Sequence, residues 1–291
     1  LADKRIPVWG VLAYYTTSVL FYLSDLIQKK ASYGDHGWRF IFVRSRFTFG
    51  VTFIIAWLMG EDLASLTIAE VLHMLGSCVV CTFGLYYFLK AIHSGHFANV
   101  GALSLVGNPL QWAVGLIIFG NTLFVWDIPI MLLLASGSVL QCSFKASRSA
   151  AQWVILSSFF WTTGYAWLSH AVRHFPLSWS VAFMEGVVLV ASGLMTLFNR
   201  GETGQRVVYS IPWMAMMLFL GVIIFGASYF NHYAYRENEL ALVSMLHLTT
   251  FPLYYLISMR VFREKPGRKE WFAFCTGIIG LMGMTIRSLM V

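Results

Sequence analysis

The stretch Ala98–Leu110, ANVGALSLVGNPL, returns at Ala241–Leu253 as ALVSMLHLTTFPL, with the opening alanine and the closing Pro-Leu at the same places. The constant shift that superimposes these letters goes on aligning residues on both sides of them. We interpret the pattern as a duplicated unit and divide the chain into two related halves, 1–144 and 145–291. The polar stretch Lys145–Ser149 marks the boundary.

Composition places this duplicated unit in a membrane. Of the 291 residues, 58% are hydrophobic and 11% are charged, whereas soluble domains carry roughly 25% charged residues. A hydrocarbon core of about 30 Å is crossed by roughly 20 helical residues, and the sequence holds ten apolar stretches of about that length. They are Val8–Leu26, Ile41–Met59, Leu72–Leu89, Phe97–Phe119, Leu123–Cys142, Val154–Ala171, Trp179–Leu197, Ile211–Tyr229, Leu240–Met259 and Trp271–Met290.

Each half contains five of these spans. We expect helices throughout, because lipid offers no hydrogen-bond partner to an open backbone. A duplicated unit with an odd number of spans inserts its two copies in opposite senses. The predicted fold is therefore an all-α integral membrane protein with ten transmembrane helices, arranged as two inverted five-helix repeats. This arrangement is typical of transporters that work by alternating access.

Prolines occur at equivalent points of the two halves, Pro109 in the fourth span and Pro252 in the ninth. Proline removes one helical hydrogen bond and kinks the chain. Prolines are also generally more frequent in membrane helices than in soluble ones. Because the two are in register, we predict paired kinks near the centre of the protein.

Basic residues outnumber acidic ones, and the formal net charge is +7. They are spread over short loops between spans, where positive charge orients helices, so we expect no nucleic-acid partner. Most lie on the side opposite the termini, which argues for termini outside the cytoplasm. Lys4 and Arg5 precede the first span, but no small-residue cleavage site follows it, so we expect no cleavable signal peptide.

Charged residues inside the predicted spans are functional candidates, because burying a charge in lipid is costly unless it faces a cavity or a partner. Glu185, in the seventh span, is a candidate to carry a coupling proton or to contact a cationic substrate. The alternative is a structural ion pair with Arg44 or Arg46. Those arginines can also extend to the membrane interface without any role in transport. Asp25, near the end of the first span, is a further charge candidate.

Polar and aromatic side chains recur at helical spacing within several spans, which indicates helix faces turned towards water or protein. The first span shows this most clearly. Simple helix packing is the alternative explanation for each stripe. The candidates to line a substrate cavity are Tyr15, Ser18, Tyr22, Tyr86, Lys90, Asn108, Trp161, Tyr165, Tyr229, His247 and Tyr254.

The eight histidines suggest a competing class, an intramembrane metal- or haem-binding enzyme. His170 and His174 share a helix face, as do His93 and His96. Both pairs fall in loops or at span ends, without a cysteine or carboxylate cluster of metal-ligand spacing. We therefore expect no enzyme activity, no metal and no cofactor, and keep this class as the alternative. Cys78 and Cys81 form a C-x-x-C pair inside a span, where small buried hydrophobic residues are expected.

The repeat resembles the EamA-like members of the drug/metabolite transporter superfamily. The residues that carry the resemblance are the run Ala98–Pro109 closing on Gly137 and the run Ala241–Pro252 closing on Gly280. The resemblance implies a central cavity lined mainly by helices 1, 3, 4, 6, 8 and 9, with helices 5 and 10 at the periphery.

Two further positions bear on the resemblance. The family usually has an acidic residue after its fourth and ninth helices; here Glu264 follows the ninth, but its first-half counterpart is Asn121. Arg44 or Arg46 matches an arginine that is common in the second helix.

Repeat, composition and resemblance together predict a secondary active or exchange transporter. It would move a small polar or amphipathic metabolite, such as an amino acid or a related organic solute, by alternating access. The expected partners are the lipid bilayer, the metabolite and, if transport is ion-coupled, a proton, with the protein a monomer or homodimer. The expected location is the bacterial cytoplasmic (inner) membrane. Bacterial members usually keep both termini in the cytoplasm, which conflicts with the charge distribution, so the orientation stays open.

Overall fold

The computed structural model describes residues 8–32, 37–63, 66–94, 100–101, 104–141, 148–199, 210–263 and 267–290. Helices dominate these ranges, and no strand occurs in them. In chain order they are α1 (Val8–Ala31), α2 (Trp38–Met59), α3 (Ile68–Ser94), α4 (Asn108–Ile117), α5 (Asp127–Gln141), α6 (Arg148–Ala171), α7 (Leu177–Phe198), α8 (Ile211–Glu237), α9 (Leu240–Leu248), α10 (Phe251–Phe262) and α11 (Arg268–Met290). A 3-10 turn, Leu105–Gly107, precedes α4.

Five helices are long and apolar enough to cross a membrane by length and composition: α1, α2, α3, α7 and α8. The other predicted spans coincide with helices that are shorter, more polar or interrupted, and α9 and α10 together occupy the ninth. The outer surface carries large exposed apolar side chains, among them Trp57, Leu58, Val190 and Phe219. A lipid environment accounts for such a surface, which water would penalise. The integral membrane assignment is thus supported, and ten crossings remain a prediction.

Helices of one half pack mainly against helices of the other. The principal pairs are α1 with α8, α3 with α6, α2 with α7, and α5 with α11, and additional contacts join α2 to α8 and α3 to α7. This set of pairs stays the same when each helix is replaced by its counterpart in the other half. The counterparts are α1 and α6, α2 and α7, α3 and α8, and α5 and α11. A two-fold relation between the halves would generate such a pattern.

The pair α3–α6 shows how sequence permits close packing. Gly84 on α3 lies directly beneath the indole of Trp161 on α6, so that a Cβ atom at position 84 would collide with the ring. The Ser157 hydroxyl also donates to the Gly84 carbonyl at 2.8 Å. Small residues and interhelical hydrogen bonds of this kind drive association where lipid removes the hydrophobic contribution.

Both spans for which paired kinks were predicted are interrupted just before their prolines. In the fourth, the 3-10 turn leads into α4, where Pro109 occupies the first turn. In the ninth, α9 ends at Leu248, and α10 begins only at Phe251, immediately before Pro252. Proline is tolerated at the start of a helix because that backbone position needs no N–H donor. In both spans a new helix therefore begins one residue before the proline, at Asn108 and at Phe251.

Candidate functional site

A cavity of about 160 Å³ lies at the junction of the two halves. Side chains from α1, α2, α3 and α4 line it from the first half, and those from α6, α7, α8 and α9 line it from the second. The lining includes these predicted residues: Ser18, Tyr22, Asp25, Arg44, Asn108, Trp161, Tyr165, Glu185 and His247. Helices α2 and α7, absent from the set implied by the resemblance, contribute the charged pair described below.

Other predicted cavity residues lie outside this lining. On α3 the cavity is lined by Cys81 and Leu85, and Tyr86, one residue on, is turned by about 100° around the helix. Its ring stacks on Trp38 of α2, with centroids 4.1 Å apart, and the Lys90 ammonium lies 4.4 Å from the Tyr86 centroid. Tyr86 and Lys90 therefore belong to the α2–α3 contact and not to the cavity wall.

Tyr15 and Tyr229 also lie outside the cavity lining. The Tyr15 hydroxyl is 3.1 Å from the Thr249 hydroxyl, beside the break in the ninth span. Tyr229 is half-buried and packs against Phe225 and Phe230 on its own helix. The side chain of Tyr254, the remaining predicted residue, lies outside the described part of the structure.

An ion pair joins the two halves at the cavity. Arg44 Nη2 on α2 lies 3.6 Å from Glu185 Oε1 on α7, and only 1% and 4% of the two side chains are exposed. The hydroxyl of Thr48, one turn along α2, donates to Glu185 Oε2. The structural pairing weighed from the sequence is thus the arrangement observed. Extension of Arg44 to the interface is wrong, whereas Arg46 is exposed, with its guanidinium over the ring of Phe42.

Aromatic rings form another part of the wall. Tyr14 meets His247 edge-on at 4.7 Å, and Tyr165 stacks on Tyr235 at 5.8 Å. Gln111 donates to the Tyr235 hydroxyl at 3.2 Å. Sequence reasoning missed Tyr14 and Gln28, which line the cavity on α1. The prediction named Tyr15, which lies one residue off this face, whereas Tyr14 stands one turn before Ser18 and lines the cavity.

Hydroxyl groups from the opposite half satisfy carbonyls at the two broken spans. Tyr22 of α1 donates to the Thr250 carbonyl at 2.9 Å, and Ser158 of α6 donates to the Ser104 carbonyl at 3.1 Å. Under the exchange of halves α1 corresponds to α6, so each bond joins a corresponding helix to a broken span, although the residues that form the two bonds are not counterparts in the repeat. Each broken helix is thus bound by a helix of the other half. Such side chains replace the backbone bonds that a break removes inside a membrane.

A second link between the halves lies at the end of the fourth span. Asn121 Oδ1 accepts a hydrogen bond from the Ala241 amide at 3.1 Å, in the first turn of α9. Glu239, just before that helix, accepts from the Thr122 amide at 2.8 Å. Asn121 therefore still provides a hydrogen-bond acceptor at the position where the family usually has an acidic residue, but it carries no negative charge. Its counterpart Glu264 lies outside the described residues.

The metal-binding alternative finds no cluster to support it in the described ranges. Within them, no group of three or more His, Cys, Asp or Glu side chains is placed to hold a metal ion. His93 contacts the Ser32 hydroxyl at 2.6 Å, and His73 contacts the indole N–H of Trp167. Cys78 and Cys81 are buried free thiols. His96 lies outside the described residues.

Broken, mutually packed helices around a shared polar cavity, with apolar outer surfaces, define the class: a multi-pass helical membrane protein. Residues 148–286 match the sequence model of the EamA-like transporter family. The resemblance to this transporter family, which is part of the drug/metabolite transporter superfamily, is thus confirmed for the second half of the chain. The family match falls in the second half.

Comparison with solved structures agrees on the fold. One, described only as "Crystal structure of protein", aligns over 96% of this chain and 97% of its own, with a TM-score of 0.72 and 15% identity. Altogether 29 solved chains are significantly similar. At this identity the similarity shows the fold alone. No curated protein matches the sequence.

Proposed function

We propose that this protein is a secondary active or exchange transporter for a small polar or amphipathic metabolite, such as an amino acid or a related organic solute. One observation carries the proposal: both halves line the same cavity, placed where two equivalent spans are broken. Discontinuous helices bring backbone carbonyls and helix ends to a binding site within the membrane, and alternating access then opens that site to each side in turn.

An inverted two-repeat architecture belongs to the same proposal. Its support is the repeat itself, the odd number of predicted spans in each copy and the symmetric set of helix pairs between the halves. Ten membrane crossings follow if each helix on a predicted span crosses the bilayer.

The size and walls of the cavity limit the cargo. A cavity of about 160 Å³ is close to the roughly 150 Å³ that accommodates one benzene molecule. Its walls combine tyrosine and tryptophan rings with hydroxyl, amide and charged groups. These features favour a compact organic solute with one apolar and one polar part over a bare inorganic ion.

Three expectations accompany the proposal as predictions of their own. Glu185 is the candidate for a coupling proton because it is a buried carboxyl that lines the cavity. The protein is expected to be a monomer or a homodimer. It is expected to lie in the bacterial cytoplasmic membrane.

The test is solute counterflow. Purified protein is reconstituted into liposomes loaded with an unlabelled mixture of amino acids and related organic solutes, and uptake of each labelled solute is measured. We expect saturable, protein-dependent uptake of at least one solute. Ser228→Phe places a ring at a fully buried cavity position on α8 and should abolish that uptake.

The matched control is Val222→Phe, which adds a ring at a 52% exposed position of the same helix and should leave uptake intact. Both variants are first checked for monodispersity and for their unfolding temperature. Uptake that is unchanged in a well-folded Ser228→Phe variant would exclude this cavity as the transport site. Absence of uptake for every solute would contradict the proposed cargo class.

A further inference from the structure

The guanidinium of Arg44 lacks hydrogen-bond partners although it is buried. Its Nε and Nη1 atoms have no hydrogen-bond partner among the described residues. Its Nη2 atom is 3.6 Å from Glu185 Oε1, which is an ion-pair separation and too long for a hydrogen bond. A guanidinium has five N–H donors, and burying a charge with its donors unmet is costly. The site is therefore incomplete on the side of the arginine.

Glu185 is held differently. Its Oε2 atom accepts the hydroxyl of Thr48, which anchors the carboxylate to α2 one turn beyond Arg44. Glu185 thus balances the charge of Arg44 without occupying its hydrogen-bonding positions. Arg44 lines the cavity, but its two unpartnered nitrogens are themselves buried, so a solute reaches them only by taking the place of Glu185 beside the guanidinium.

We propose that Arg44 is the carboxylate-binding residue of the cavity: the single carboxylate of a small solute accepts hydrogen bonds from Arg44 and displaces Glu185 as its closest counter-ion. The proposal rests on the proposed function only in taking the bound solute as cargo. Charge-assisted hydrogen bonds from arginine to an oxyanion are among the strongest available in proteins. The planar guanidinium is also better matched to a carboxylate than an ammonium group would be.

The other charges at the cavity select among anions. Asp25 and Glu185 line the same space, so Arg44 is accompanied there by two carboxyl groups. A doubly charged phosphate would be repelled by both carboxyl groups about twice as strongly as a monocarboxylate, which carries a single charge. The cavity volume of about 160 Å³ likewise suits a compact monocarboxylate. The aromatic wall at Tyr14 and Tyr165 can accept its apolar part.

The experiment measures binding to the purified protein in detergent by the shift in unfolding temperature, since a ligand of the folded state stabilises it by mass action. The probes are three carboxylates, acetate, propionate and benzoate, each paired with its neutral amide. Ionic strength is held constant with chloride. We expect at least one carboxylate to bind about tenfold more tightly than its amide, the difference that a charged hydrogen bond provides.

Variants assign the effect to Arg44. Arg44→Gln together with Glu185→Gln removes both charges, so no unpaired carboxylate is left buried, and it should eliminate the preference for carboxylates. Glu185→Gln alone removes the internal competitor and should tighten carboxylate binding several-fold. Arg46→Gln, two residues along at an exposed position, is the matched control and should bind as the parent protein does.

The outcomes separate this proposal from the one before it. Equal binding of acids and amides, no binding of any carboxylate, or a carboxylate preference that survives in the double variant would each overturn the role of Arg44. Carboxylate binding that depends on Arg44, without solute counterflow in liposomes, would leave the assignment standing and contradict the transport proposal. Counterflow of a solute whose binding does not depend on Arg44 would support the transport proposal and overturn the assignment of Arg44.

Discussion

The broken fourth span and the broken ninth span are two versions of one structure. Both are interrupted just before a proline, and both are bound by a hydroxyl group from the opposite half. Their sequences at the break differ: Ser104 of the first half corresponds to His247 of the second, and Gly107 corresponds to Thr250. The backbone arrangement is thus common to the two copies, while the side chains presented to the cavity are not.

This difference separates what the scaffold requires from what the ligand requires. In both halves the carbonyl groups at the break need hydrogen-bond donors, and each half supplies them with different residues. The first copy relies on close approach of α6 at Gly107, and the second accommodates a buried threonine. Side chains that differ between equivalent positions give the cavity two different walls. They can therefore contact different parts of a solute that has no symmetry of its own.

The largest effect in this comparison is expected at Gly107. A Cβ atom there would collide with the Thr162 hydroxyl and lie 3.0 Å from the Ser158 carbonyl oxygen. Gly107→Ala should therefore destabilise the protein by about 1–3 kcal/mol, as overpacking does. Thr250→Ala, at the equivalent position, should cost less because it removes atoms without creating a collision. The unfolding temperature in one detergent measures both.

Gly50→Ala is the control for the glycine series. No atom lies within 4 Å of a Cβ built at this position on α2, so the substitution should leave the unfolding temperature unchanged or raise it. A Gly107→Ala protein as stable as the parent would show that α6 leaves room for a methyl group beside the fourth span.

An intermediate effect is expected at Asn121, which caps α9 from the other half. Asn121→Ala removes the acceptor for the Ala241 amide, and loss of a helix cap costs about 1 kcal/mol. Asn121→Asp keeps the acceptor and adds a negative charge at a helix N-terminus, so it should restore or exceed the parent stability. The same thermal measurement distinguishes the two variants. Equal destabilisation by alanine and aspartate would argue against capping.

The smallest effects are expected from the two hydroxyl bonds themselves. Tyr22→Phe and Ser158→Ala each remove one interhelical bond at a broken span, and such bonds in membrane proteins average about 0.6 kcal/mol. The two losses should be similar, because each bond joins one of the corresponding helices α1 and α6 to a broken span. Thr163→Ala, whose exposed hydroxyl bonds only within α6, is the control. A loss confined to one of the two variants would show that the halves differ in architecture as well as in side chains.

Much of the scaffold was predictable from the sequence because hydropathy and repetition are properties of whole segments. Helices cover the predicted spans, and the breaks at Pro109 and Pro252 occur where the repeat places them. Helical spacing also placed Ser18, Tyr22 and Asp25 on one face of the first helix, and all three line the cavity. The face of a helix is less certain than its existence, since one residue turns a side chain by about 100°. That turn is the reason why Tyr86 was assigned to the cavity and Tyr14 was not.

Pairings between distant residues could not be predicted in the same way. Two arginines in the sequence, Arg44 and Arg46, are candidates to pair with Glu185. Only the packing of α2 on α7 decides which of them forms the ion pair. The contact of Asn121 with Ala241 depends on the path of a loop, which no local pattern encodes. Such contacts depend on the relative placement of the halves and follow only from the tertiary structure.

The ion pair also has a consequence for the order of assembly during synthesis. Arg44 belongs to the second span, and Glu185 lies in the seventh, 137 residues after Thr48, its other partner. At roughly 5–20 residues per second, the arginine is made on the order of ten seconds before its counter-ion. An arginine inside an apolar span is costly while it is unpaired. The second span therefore has to be held by the insertion machinery, or remain near the membrane surface, until the seventh span arrives.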